Sequence, residues 1–294
     1  MEIQQAYDTY KPLLQSIAYR MLGSFSEAED AVQDVYADYF RLQSGPIENE
    51  KAYLIRMLTN RCLNVLQSAR KRREVYPGTW LPEPDVRQAG ETMDPAELYD
   101  RDESVSYGLL VMLEQLTATE RAVFILRESL QYEYSEIAEC LRKSEANCRK
   151  IFSRAKSKLN PLAAAPAPSG STEPLVATFI AAARSGDFGA LVELLAEEAV
   201  LLADGGGKVR TAVFPIYGKE RILALLKGTL AKGFFGDGEQ LVDVNGQPGF
   251  ILYSHGRPSS ILCFQWDERQ RKAERIFVVS NPDKLETVLK GIKN

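Results

Sequence analysis

Histidine is almost absent from the 294 residues, with His255 the only one. A single histidine argues against histidine-rich catalysis and imidazole metal sites. Cysteine is scarce and scattered. Cys62, Cys140, Cys148 and Cys263 lie far apart, and none forms a CxxC pair. That excludes a zinc framework and a disulfide scaffold, and the four read as buried or neutral thiols of a reducing compartment. No metal and no cofactor is expected. Long apolar runs are also missing: there is no N-terminal run of the signal-peptide kind and no stretch of about 18 apolar residues. The expectation is a soluble cytoplasmic protein that does not engage a membrane.

What is present is an ordinary globular balance, 45% hydrophobic and 26% charged. At roughly 100–200 residues per domain, two or three domains fit. The net charge of −4 argues mildly against a nucleic-acid binder, but charge is unevenly placed. Between Arg142 and Lys158 seven bases stand against one acid, Glu145.

Residues 1–74 have helical periodicity. Leu13, Leu14, Ile17, Ala18 and Met21 share one face of "YKPLLQSIAYRML". Gly23 ends that helix. "SEAEDAVQDVYADYF" follows, with Ser26 and Glu29 at capping-box spacing and an apolar stripe of Ala28, Ala31, Val32, Val35 and Tyr39. A long third helix buries Leu54, Met57, Leu58, Cys62 and Val65. Residues 75–98 form a linker holding "GTWLPEPDV", which suits neither helix nor strand; linkers of such length are usually functional or disordered. Helices resume near Glu97 and continue to residue 160, with Thr117 and Glu120 at capping-box spacing. A Pro/Ala/Ser-rich linker spans 161–172. From 173 to 294, short helices and then several strands in series predict an α+β domain with an antiparallel sheet.

Three segments carry functional signals. "YSEIAECLRKSEANCRKIFSRAKSKL" reads as a helix-turn-helix, with Ile137, Leu141 and Ile151 as its small core and Ala138 at the close crossing. Ser144 caps the second helix, and Arg142 or Lys143 must serve in a turn that often carries glycine. On the third helix of the chain, Arg56, Asn60, Asn64, Gln67 and Lys71 form a polar stripe able to meet base edges, and Arg70, Arg72 and Arg73 can meet phosphates. On "EDAVQDV", Asp30, Gln33 and Asp34 suggest a protein-facing surface. Each taken alone is also compatible with a solvated helix face.

In order, these segments resemble the bacterial extracytoplasmic-function (ECF) sigma factors along residues 5–160. The subgroup with a fused C-terminal SnoaL-like domain, the SigJ-like type, carries three further motifs found here: "WLPEP" at Trp80, Leu81, Pro82, Glu83 and Pro84; "DGGGK" at Asp204, Gly205, Gly206, Gly207 and Lys208; and "NPDKL" at Asn281, Pro282, Asp283, Lys284 and Leu285. The resemblance implies a multi-domain fold: two all-α domains, sigma region 2 and the helix-turn-helix region 4, then an α+β SnoaL-like cone with a curved antiparallel sheet. The implied partners are promoter DNA and core RNA polymerase, through its β′ clamp helices and β flap. By the same resemblance Asp30, Gln33 and Asp34 bind polymerase. Arg56, Asn60, Arg61, Asn64, Gln67, Arg70, Lys71, Arg72 and Arg73 take the −10 element. Ser144, Glu145, Asn147, Arg149, Lys150, Ser153, Arg154 and Lys156 take the −35 element. Two departures, Asn64 in place of a usual Asp and the Asn147-Cys148 pair, bear on promoter preference.

Two other classes stay open. One is a SnoaL-like enzyme of isomerase or cyclase type fused to a DNA-binding module, with Asp204, Tyr217, Tyr253 and His255 as candidate acids and bases and an unknown small ligand. The other is a stand-alone helix-turn-helix regulator. Under the sigma reading the chain is not an enzyme, and the appended domain acts in cis by an intramolecular contact with the sigma part. "DGGGK" lacks the GK[ST] of a P-loop. Trp80 and Leu81 either anchor on the surface carrying "DGGGK" and "NPDKL" or pack locally on the region 2 helices.

Overall fold

The computed structural model describes residues 3–41, 47, 49–88, 105–159, 173–230, 232–267 and 271–292. Described residues of 1–75 and 112–160 make one compact unit, and those of 76–111 and 161–294 make another. No helix among the described residues is long and apolar enough to cross a membrane.

The first unit is helical. α1 (Ile3–Leu22), α2 (Phe25–Arg41) and α3 (Glu50–Glu74) bury their stripes against one another. Leu14, Ile17, Ala18, Val32, Val35, Leu54, Leu58 and Cys62 are nearly solvent-free. The expected cap on α2 needs correction. Ser24, not Ser26, accepts the Glu27 amide at 3.4 Å. Phe25 stacks on Tyr19 with ring centroids 4.2 Å apart, and the helix starts at Phe25, two residues earlier than a Ser26 cap would give.

The second helical set begins with α4 (Tyr107–Leu113) and α5 (Ala118–Phe124), which runs into a single π-helical turn, Ile125–Ser129. Residues 89–104, where helices were expected to resume, lie outside the described residues. Thr117 and Glu120 form the reciprocal capping box at the start of α5. α6 (Tyr134–Leu141) and α7 (Glu145–Lys158) follow. Arg142 joins them in the left-handed conformation, φ 51°, so an arginine carries the turn. Ser144 caps α7 by accepting the Asn147 amide at 3.3 Å. Ile137, Ala138, Leu141 and Ile151 are buried between the two helices.

The second unit is α+β. β1 (Val86–Gln88) opens it; α8 (Glu173–Ser185), α9 (Gly189–Leu194), β2 (Leu195–Asp204), β3 (Ile216–Tyr217) and α10 (Lys219–Leu230) follow. β4 (Gly238–Val244), β5 (Gln247–Ser254), β6 (Arg257–Asp267), β7 (Lys272–Val279) and α11 (Pro282–Ile292) complete it. The strands form one seven-stranded sheet in the order β1-β4-β5-β6-β7-β2-β3.

Three features depart from the sequence reading. The end of the linker, expected to be irregular, supplies the edge strand β1. It pairs antiparallel with β4 from Val86 opposite Val244 to Gln88 opposite Val242, so long-range pairing overrides a short segment's weak propensity. The sheet is mostly antiparallel, but β2 and β7 run parallel. The long intervening chain permits the crossover that parallel pairing requires. "NPDKL", read only as a motif, opens helix α11.

The sheet is covered on both faces. One face packs on α8, α9 and α10 through Phe179, Phe188, Phe250, Leu262, Phe264 and Ile276. Strand residues alternate sides, so Ile251, Ile261, Cys263, Phe277 and Val279 belong to the other face. They are as deeply buried as the first set. The linker and α4 contribute to their cover: Leu81 is solvent-free, and the Tyr107 ring stands edge-on to Phe277 at 5.2 Å.

Candidate functional site

A buried polar cluster forms where the linker crosses the sheet. Asp204 ends β2 and Lys284 lies in the first turn of α11; their side chains are 0% and 6% exposed and meet at 2.7 Å. The Gly206 amide donates to Asp204 Oδ1 at 2.9 Å, and further hydrogen bonds run to the linker. Tyr76 donates its hydroxyl to Asp204 Oδ1 at 2.6 Å, and the Leu81 amide donates to Oδ2 at 2.9 Å. Lys284 Nζ donates to the Leu81 carbonyl and sits 4.2 Å from the centre of the Trp80 ring. Asn281 donates to the Tyr76 hydroxyl at 2.9 Å. Burial pushes the Tyr76 phenol up, and its hydrogen bond to Asp204 adds to the shift, so it stays a donor at neutral pH. A buried charge is tolerated when paired and fully hydrogen-bonded, and here the linker backbone completes the set.

The glycines explain how the chain approaches so closely. A Cβ on Gly206 would stand 2.5 Å from Asn281 Cγ, and one on Gly207 would stand 2.5 Å from Pro77 Cγ. Both glycines have positive φ, 64° and 70°, which side chains disfavour. Gly205 is tight against its own loop, where a Cβ would meet the Val209 carbonyl oxygen at 2.3 Å. Lys208 reaches Asp283 at 2.7 Å on the surface.

The structure therefore brings "WLPEP", "DGGGK" and "NPDKL" together. Pro82, Glu83 and Pro84 are buried, with the Pro82 carbonyl accepting from Tyr107 at 2.7 Å. Leu285 is also buried, whereas Pro282 and Asp283 are exposed. Sequence reasoning missed Tyr76, Tyr107 and Asn245, which takes the Asp85 amide at 3.0 Å. The available signal was the lack of alternation in "SILCFQW": Ser260 through Gln265 are all buried. An antiparallel strand buried on both faces needs a second cover.

On the helical unit, Asp30 and Gln33 are exposed on α2 and Asp34 is half-buried. Asp34 forms an ion pair with Arg61, so the acidic face of α2 adjoins the polar face of α3. Asn60, Asn64 and Gln67 are exposed, and Arg56 reaches Glu139 at 3.4 Å. The side chains of Arg70, Lys71, Arg72 and Arg73 lie outside the described residues.

Ser144, Glu145, Asn147, Arg149, Lys150, Ser153, Arg154 and Lys156 are all exposed, on α7 and at its cap. Several are engaged already. Arg149 pairs with Glu145 at 2.8 Å and lies 4.5 Å from the centre of the Tyr134 ring; Lys156 pairs with Glu128 at 3.1 Å. Asn147, Lys150, Ser153 and Arg154 instead line a shallow concavity on the outer face.

The candidate enzymatic groups are occupied or dispersed. Asp204 is held as described. Tyr253 donates to Gln240 at 2.6 Å, Tyr217 is on the surface, and His255 sits in an exposed turn with φ 53°. A cleft of about 540 Å³ opens beside α8, floored by Phe235, Phe250 and Leu252 and rimmed by the Arg184–Glu239 ion pair. Among the described residues no group of His, Cys, Asp or Glu is placed to hold a metal ion. All four cysteines are buried, and burial pushes the Cys140 thiol up to about 11.

Comparison with known proteins adds three findings. The Sigma-70 region 2 family model matches residues 6–72, and the Sigma-70 region 4 model matches residues 108–159. The chain is 32% identical over 297 residues to the ECF RNA polymerase sigma factor SigJ of Mycobacterium tuberculosis, covering 97% of this chain and 93% of the relative. It is also 32% identical over 198 residues to the probable ECF RNA polymerase sigma factor SigI of the same species, covering 66% of this chain and 67% of that one. The crystal structure of M. tuberculosis SigJ superposes with a TM-score of 0.75 at 27% identity, covering 95% of this chain and 97% of that chain.

Proposed function

The chain belongs to the ECF sigma factors of RNA polymerase, and from that membership we propose a role for each of its surfaces. Sigma factors bind core polymerase and promoter DNA and are not enzymes. Residues 1–74 act as region 2, with Asp30, Gln33 and Asp34 docking on the β′ clamp helices. The face of α3 from Arg56 through Arg73 takes the −10 element. Residues 99–160 act as region 4, in which α7 takes the −35 element and the domain meets the β flap. The protein works in the cytoplasm, where its polymerase is.

On α7, the free groups of the outer concavity do the reading, and the internally paired Arg149 holds the helix surface in shape. Lys150→Ala should weaken binding of a −35 duplex by holoenzyme by roughly fivefold or more, the effect of losing one cationic contact. Gel-shift titration at fixed salt measures it, and equal affinity would remove α7 from promoter recognition.

Residues 173–294 regulate the sigma part in cis by holding the linker between regions 2 and 4. The carrying observation is the Asp204–Lys284 pair, which also binds the Tyr76 hydroxyl and both backbone groups of Leu81. A linker held by its backbone has lost the freedom with which regions 2 and 4 adjust to polymerase, which is the task of an anti-sigma factor performed within one chain. Leu81→Asp places a charge in a solvent-free site and should release the segment. The expected result is higher promoter-specific transcription with core polymerase, together with faster amide exchange across residues 76–88. Faster exchange with unchanged transcription would sink the regulatory reading.

A further inference from the structure

The packing of α7 fixes which of its side chains face outward. Cys148, Ile151 and Ala155 are 0%, 5% and 0% exposed. Phe152 stacks on Phe124 of α5 with ring centroids 6.2 Å apart. With one side so held, Asn147, Lys150 and Arg154 are exposed on the other. At 3.6 residues per turn, positions three and seven residues apart share a stripe about 60° wide. With Ser153, these three line the shallow concavity of the outer face.

The polar groups of α7 fall into two sets. Arg149 is bound to Glu145, Lys156 to Glu128 and Lys158 to Glu120, at 2.8, 3.1 and 2.7 Å. Those groups are spent on holding the helix. The side chains of Asn147, Lys150 and Arg154 have no hydrogen-bond or ion-pair partner among the described residues. Glu145 and Arg149, two positions either side of Asn147, lie toward the opposite flank and neutralise each other. The outward stripe is therefore one neutral carboxamide followed by two free cations, with no acid to repel phosphate.

Position along the helix separates their tasks. Asn147 is the third residue of α7, and its backbone amide is already capped by Ser144. The first turn of a recognition helix is the part that meets base edges. Arg154 lies about 10.5 Å farther along the axis, where a helix crossing the groove comes over the phosphates. A carboxamide offers one acceptor beside one donor. In the major groove only adenine presents the matching pair, the N6 amino donor beside the N7 acceptor. Guanine shows two acceptors there, cytosine one donor, and thymine one acceptor and a methyl group.

We propose that Asn147 is a specificity-determining residue that reads a single adenine of the −35 element, its Oδ1 accepting from N6 and its amide nitrogen donating to N7. The inference rests on the reading of α7 as the helix that takes that element. Holoenzyme assembled from the full chain and core polymerase selects duplexes from a promoter pool randomised through both elements. At one position of the upstream element the parent should prefer adenine by roughly tenfold or more, the scale of one bidentate contact. Asn147→Ala should lose that preference and keep the others. Placing 7-deazaadenine at that position, which removes N7 and leaves base pairing intact, should weaken the parent and leave Asn147→Ala unaffected. Arg154→Ala should weaken every duplex alike, keep all base preferences and lower the salt slope by about one. Both side chains are exposed, so both variants should melt as the parent does. If Arg154→Ala shows its loss while Asn147→Ala keeps every preference, or loses affinity equally for all sequences, the adenine contact is overturned and α7 remains the −35 helix. An equal effect of 7-deazaadenine on parent and Asn147→Ala overturns it in the same way. Parent-like binding by both variants overturns the reading of α7 as well.

Discussion

Replacing Lys284 with methionine should destabilise the α+β unit by about 3–5 kcal/mol, the cost of leaving one member of a buried ion pair without its partner. Asp204 would keep its bonds from Tyr76, Leu81 and Gly206, but its charge would face no cation in a solvent-free site. The linker would also lose the ammonium that binds the Leu81 carbonyl and lies on the Trp80 ring. Two units need not unfold together, so the measurement is amide exchange at Leu81 and along β2, read separately from the helical unit. The double variant Asp204→Asn, Lys284→Met should recover most of the loss, because neither charge is then buried alone. A single-variant loss below about 1 kcal/mol, the range of a solvent-exposed pair, would show that the cluster does not hold the linker.

The glycine loop should be nearly as sensitive. Gly206→Ala and Gly207→Ala each force a side chain into left-handed backbone, about 1–2 kcal/mol, and into a contact that must give way, about 1–3 kcal/mol. At Gly206 the obstacle is Asn281, itself buried and bonded to Tyr76. At Gly207 it is Pro77, so that variant should push the linker away while leaving the sheet intact. Amide exchange separates the two: Gly206→Ala should expose both α11 and residues 76–88, and Gly207→Ala only the latter. Wild-type exchange in both variants would contradict the close approach.

Much of the helical unit was legible because its determinants are local. The stripes of α1 and α2, the Thr117–Glu120 box, the Ser144 cap and the glycine-free turn at Arg142 each depend on residues a few positions apart. By contrast, α3 buries Leu54, Leu58 and Cys62 as expected but Ile55, Leu66 and Ala69 more deeply than Met57 and Val65. The cap of α2 was misplaced by two residues because Phe25 stacking on Tyr19 outweighs a spacing rule. The α+β unit was legible as a class, but its parallel β2–β7 pair was not, since nothing local encodes strand direction. The linker was the hardest part. Prolines and a glycine disguise a segment whose partners lie in β2, β4 and α11, and Asp204 alone offers no hint that Tyr76 and Leu81 will fill its valences. The continuous burial of Ser260–Gln265 carried that information indirectly, as a sheet face in need of a cover.

Those long-range bonds also impose an order in time. Asp204 lies 123 residues after Leu81, Lys284 lies 203 after it, and Asn281 lies 205 after Tyr76. At roughly 5–20 residues per second on the ribosome, the linker emerges about 10–40 s before the last of its partners. In that interval both helical segments have been made, while Trp80 and Leu81 have no sheet to settle on. A newborn chain thus passes through a stage in which its two promoter-reading segments are joined by an unrestrained tether, and only the arrival of α11 closes that stage.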